Sequence, residues 1–199
     1  MMPALSMVAD ARQQVRLIPE ADASAMPQSD ERLRYMVEAH FDFIWRSLRG
    51  LGVPSGSVDD AAQHVFLIAS QKLDAIELGR EKSFLFSTAR GVAANARRSI
   101  ARSRERLDDV AIAASVDPAP DPEQALSSQQ GRKLLETILE TMDEDTREVF
   151  VLFELEGLTT SSIATLIGAP MGTVASRLRR AREAFQREAR RIQASGGGK

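Results

Sequence analysis

Apolar residues recur at three- and four-residue spacing through both halves of this chain, and nowhere do they alternate over the length of a strand. Leu33, Met36, Val37, Phe41, Ile44, Trp45 and Leu48 form one stripe on a helix, which Gly50 and Gly52 end. Ser57, with Asp60 three residues on, resembles a capping box. The helix it opens turns Ala61, Val65, Ile68 and Ala69 inward, with Phe66 and Leu67 widening the stripe. A third helix is predicted from about Ser83, burying Leu85, Thr88, Ala89, Val92, Ala93 and Ala96 and projecting Arg90, Arg97, Arg98 and Arg102.

Periodicity stops over residues 107–130, where three prolines and five acids stand without one base; this predicts a flexible acidic linker. It resumes at Leu134, Leu135, Ile138, Leu139 and Met142. Asp143 should begin a helix carrying Val149, Phe150 and Phe153 that Gly157 ends. Thr159 or Thr160 can cap a short helix with Ile163, Ala164 and Ile167, and Gly168 supplies a left-handed turn after it. Pro170 then fits the start of a last helix through Val174, Leu178, Ala181 and Phe185. The fold class is all-α: two small helical domains, 31–106 and 131–192, between an N-terminal arm (1–30) and a tail (193–199), both expected to be disordered.

Composition removes most chemistry. The chain has no cysteine and two histidines, His40 and His64, on different predicted helices, so disulfides, metal ligation and histidine-based catalysis lack material. No glycine-rich phosphate loop or paired-carboxylate cleft is present, so no cofactor and no enzymatic activity are expected. No apolar run reaches signal-peptide or membrane-span length, which predicts a cytoplasmic protein with no membrane insertion.

The net charge of −2 conceals strong segregation. Residues 79–106 and 159–199 each carry eight basic against two acidic side chains, whereas residues 107–130 and 131–158 each have five more acids than bases. Two basic surfaces can face a polyanion; the plainer reading is solvated helix faces.

The segment SSIATLIGAPMGTVASRLRRAR reads as helix, tight turn, helix, with a small residue, Ala164, at the crossing and Val174 and Leu178 fixing the second helix. That helix exposes Thr173, Ser176, Arg177, Arg179, Arg180 and Arg182, types that donate to phosphates and base edges. An ordinary helical hairpin with an arginine-rich end would show the same pattern.

Taken together, LETMDEDTREVFVLFELEGLTTSSIATLIGAPMGTVASRLRRAREAF, LRYMVEAHFDFIWRSLRGLGV, SVDDAAQHVFLIASQKLDAI and SFLFSTARGVAANARRS resemble the bacterial extracytoplasmic-function sigma factors over about residues 31–191. The resemblance implies sigma domain 2 at 31–106 and sigma domain 4 at 131–192, binding core RNA polymerase and promoter DNA, with an anti-sigma factor as the expected regulator and a nucleoid-associated cytoplasmic location. It assigns Asp59, Asp60, Gln63, His64, Val65 and Phe66 to polymerase, and Phe84, Phe86, Arg90, Arg97 and Arg98 to the minus-10 element. Thr173, Ser176, Arg177, Arg179 and Arg180 are assigned to the minus-35 element. The chain departs from the family pattern at Gly91, where an asparagine is usual, at Ala175, where a lysine is usual, and at Phe84, Thr160 and Ser162. Two other functions fit the residues: a stand-alone helix-turn-helix regulator with 31–106 as its ligand or dimerisation module, and a decoy for polymerase or an anti-sigma factor that does not read DNA.

Overall fold

The computed structural model describes residues 28–106 and 122–196. Most of the expected arm, residues 107–121 of the expected linker and the last three residues lie outside the described residues. The described residues form seven α-helices and no strand: α1 (Gln28–Gly50), α2 (Val58–Gln71), α3 (Glu81–Arg106), α4 (Pro122–Glu140), α5 (Glu144–Phe150), α6 (Thr160–Ile167) and α7 (Met171–Gly196). Two expectations shift: α4 begins inside the segment expected to be linker, and α7 continues into the tail as far as Gly196.

The helices α1, α2 and α3 pack on one another around Met36, Ile44, Leu48, Val65, Ala69, Leu85, Phe86 and Ala89. Burying each large side chain of this set contributes about 1.5–3 kcal/mol. Ser57 precedes α2 as expected, but its side chain makes no capping hydrogen bond. Asp143 does cap α5, its carboxylate accepting from the Thr146 N–H at 2.8 Å and from the Thr146 hydroxyl at 2.7 Å.

Beyond α5 the chain passes through a π-helical turn, Val151–Leu155, which periodicity did not foretell. The unbroken run Thr146–Leu152 is buried on every side. Phe150 and Val151 join a small core with Ile138, Leu139, Met142 and Ala181, while Val149 and Leu152 join the large one. That large core also takes in Ile163, Val174 and Leu178, so one apolar interior runs through both halves of the chain. Gly50 makes the approach possible: a Cβ there would lie 2.7 Å from Val151 Cγ1.

Candidate nucleic-acid interface

The helix-turn-helix is built by local chemistry. The Thr159 hydroxyl caps α6 by accepting from the Ser162 N–H at 3.1 Å. Gly168, at φ +67°, makes the left-handed turn, where a side chain would be strained. The Pro170 carbonyl then accepts from Thr173 and Val174 at 2.9 and 3.1 Å, opening α7. Val174, Leu178 and Ala181 turn inward, leaving Ser176, Arg179 and Arg180 exposed on the other side.

The five side chains expected on this face are not equivalent. Arg180 is exposed and in no salt bridge, while Arg179 pairs with Glu183 at 2.6 Å where both are largely solvated, so its guanidinium can be redirected at little cost. Ser176 donates to the Thr173 carbonyl at 2.9 Å, and Thr173 is half-buried. Arg177 folds back onto Asp145 in the first turn of α5, its side chain only 20% exposed. Arg182 is braced by Glu154 at 2.8 Å and lies 5.0 Å over the Phe153 ring. Met171, exposed at the start of α7, was not anticipated.

The basic residues of α3 divide into two sets. Arg98 and Arg102 lie on its solvated side, Arg98 reaching Asn95 at 2.6 Å. Arg90 and Arg97, two helical turns apart, face the C-terminal half. Arg90 Nη1 lies 3.4 Å from Glu148 Oε1, and Arg97 Nη2 lies 2.9 Å from Glu144 Oε1. Burial raises the Glu148 carboxyl above the ordinary carboxylate range, opposed by Arg90, and its second oxygen is buried without a hydrogen-bond partner. Gly91 is exposed with open space around it.

The aromatic expectation on α3 is corrected. Phe86 is 1% exposed, its ring 5.9 Å from that of Phe43, and it is a core residue with no face to offer a base. Phe84 is half-buried against the same core. The exposed apolar side chain next to α3 is instead Leu78, 83% exposed in the loop that Gly79 turns at φ +79°. Arg32 of α1 braces that loop, donating to the Leu73 and Ile76 carbonyls at 3.1 and 2.6 Å and to Glu81 at 2.8 Å. Such a long-range bracket has no local sequence signal.

On α2, Asp59, Asp60, Gln63 and His64 are exposed as expected. Val65 and Phe66 are not: Val65 is fully buried, and Phe66 stacks on Phe41 with ring centres 6.0 Å apart. The apolar residue on the outer face is Leu67, read from the sequence as inward-facing. Position within the helical turn, rather than residue type, decides which of the three faces out. His40, half-buried, has its pKa lowered by burial and by Lys82.

Among the described residues no group of histidines and acids could hold a metal ion, and no helix is long and apolar enough to cross a membrane. The helix-turn-helix and the helices packed beside it, residues 132–185, match the family sigma-70, region 4. The ECF RNA polymerase sigma-E factor of Escherichia coli (strain K12) is 27% identical over 169 residues, a stretch covering 79% of this chain and 87% of that protein. The fold is similar to the sigma factor RpoE in its complex with the anti-sigma factor NepR from Bartonella quintana, with a TM-score of 0.61 at 24% identity over 80% of this chain and 98% of the other. It is also similar to CnrH in complex with the cytosolic domain of CnrY, with a TM-score of 0.58 at 20% identity over 79% and 86% of the two chains. The chain belongs to the extracytoplasmic-function sigma factors.

Proposed function

We propose that the chain binds core RNA polymerase and directs it to promoters, with α7 entering the major groove at the minus-35 element and the α3 region holding the minus-10 strand. The observation that carries this reading is the outer face of α7: Ser176, Arg179 and Arg180 stand exposed opposite the residues that anchor the helix. Residues 31–106 act as sigma domain 2 and 131–192 as sigma domain 4. Arg180, Arg179 and Ser176 contact DNA directly, and Arg177 positions α7 through Asp145. At the minus-10 element Arg90, Arg97 and Arg98 supply cations, with Phe84 as the remaining aromatic candidate. Asp59, Asp60, Gln63 and His64 meet polymerase, with Leu67 in the apolar role first given to Val65 and Phe66. The protein works by recognition and not by catalysis, in the cytoplasm at the nucleoid, under an anti-sigma factor. No observation on the molecule favours the stand-alone regulator or the decoy.

Run-off transcription with core polymerase on a pool of promoter fragments tests this. Defined starts that an Arg179→Ala, Arg180→Ala double variant loses or relaxes are the expected result. If core polymerase gains no promoter preference from the wild-type chain, the proposal fails.

A further inference from the structure

Four ion pairs cross between the two halves of the molecule: Arg46–Glu156 at 2.9 Å, Arg49–Glu136 at 2.6 Å, Arg90–Glu148 at 3.4 Å and Arg97–Glu144 at 2.9 Å. Every arginine comes from the N-terminal half and every carboxylate from the C-terminal half. The first pair is a two-pronged fork, with Arg46 Nε reaching one oxygen at 3.0 Å and Nη2 the other at 2.9 Å. Arg97 and Arg147 both donate to the Leu51 carbonyl, closing the same seam from opposite sides. Helix α6 packs along α3, with Ile163 fully buried in the shared core.

We infer that this chain is self-masking: domain 4 places carboxylates where the DNA backbone would lie along α3, so that free protein is closed and promoter binding requires the halves to part. The inference rests on the sigma reading for what is masked, but not for the closure itself. Two of the four crossing pairs engage Arg90 and Arg97, which are the cations proposed for the minus-10 strand. Glu144 and Glu148 thus compete with phosphate for the same guanidinium groups. The acidic excess of residues 131–158 matches the basic excess of residues 79–106, so the alternating charge serves the chain's own two faces before it serves DNA. Asp59, Asp60, Gln63 and His64 remain exposed on α2 in this closed form. Polymerase can therefore dock on the masked protein, and DNA follows only after opening.

The chain has no cysteine, which permits a clean lock. A Cβ at position 50 lies 3.4 Å from Val151 Cβ, close to the roughly 3.5–4.5 Å that disulfides span. In a Gly50→Cys, Val151→Cys variant, the oxidised form should still bind core polymerase while run-off from the protein's promoters falls about tenfold or more, and reduction should restore it. Equal transcription from the oxidised and reduced forms overturns the inference. A second arm uses neither DNA nor polymerase: small-angle scattering of wild type beside a Glu144→Gln, Glu156→Gln variant. A compact wild type and an expanded variant are expected; an already extended wild type, or no expansion, overturns the closure. Failure of wild type to direct any start would count against the sigma reading alone. A cysteine variant silent in both redox forms would leave the decision to scattering.

Discussion

Trp45 donates its indole N–H to Asp59 Oδ1 at 2.7 Å, tying the middle of α1 to the first turn of α2. The carboxylate proposed to meet polymerase is thereby held in one orientation. Replacing Trp45 with Phe keeps a ring but removes the donor. The loss should cost about 1 kcal/mol of stability, or about 2–4 °C in melting temperature. Binding of core polymerase, read by fluorescence titration, should weaken several-fold, because Asp59 must then be ordered at the moment of docking.

Glu148 gives the fold a pH response opposite to that of a typical paired acid. Burial raises its carboxyl above the unfolded value of about 4.3, so the folded chain holds this proton more tightly than the unfolded chain does. Its contribution to stability is full below that unfolded value and is lost as pH rises through the raised one. Glu148→Gln removes the loss. Melting curves of variant and wild type should lie close together near about pH 4, and the variant should gain steadily toward neutrality. Arg90, with 42% of its side chain exposed, can turn to water and so does not reverse the sign.

Arg177 and Arg180 should separate in a sequence-resolved assay. Arg180→Ala should cost about 1–3 kcal/mol at one minus-35 position and relax the preference there. Arg177→Ala, by loosening α7 from Asp145, should weaken all promoters alike. Run-off on a randomised minus-35 library reads both.

Phe86 tests the corrected core assignment. Phe86→Leu should destabilise by about 1–3 kcal/mol through lost packing on Phe43, lowering the melting temperature. Transcription from the folded fraction should keep its minus-10 preference.

Much of this molecule was legible because it is built from local signals. The Asp143 and Thr159 caps, the Gly168 turn and the Val174–Leu178 anchor each depend on residues within one helical turn of one another, and each stands where the spacing put it. Ser57 shows the limit: the residue type is right for a cap, but the backbone before α2 does not aim its hydroxyl at the helix. Phe86 and Phe66 were misplaced for another reason. An aromatic on a helix looks the same in sequence whether it stacks on a base or fills a core, and only the packing of α1 against α2 and α3 decides. The pairing of Arg90 with Glu148 lay furthest from reach, since it joins residues 58 positions apart on opposite sides of the linker.

The π turn at Val151–Leu155 makes this stretch sensitive to its length more than to its composition. Its backbone bonds, Glu156 N–H to the Val151 carbonyl and Leu158 N–H to the Leu152 carbonyl, each span one or two residues more than an α-helical bond does. Deleting one residue here would restore α-helical register and swing everything downstream by about 100°. Glu156 would leave Arg46, and α6 and α7 would point away from α3 with every side chain of the helix-turn-helix intact. Relatives that differ in length at this point should therefore differ in how their two halves meet, even where the DNA-reading residues are the same.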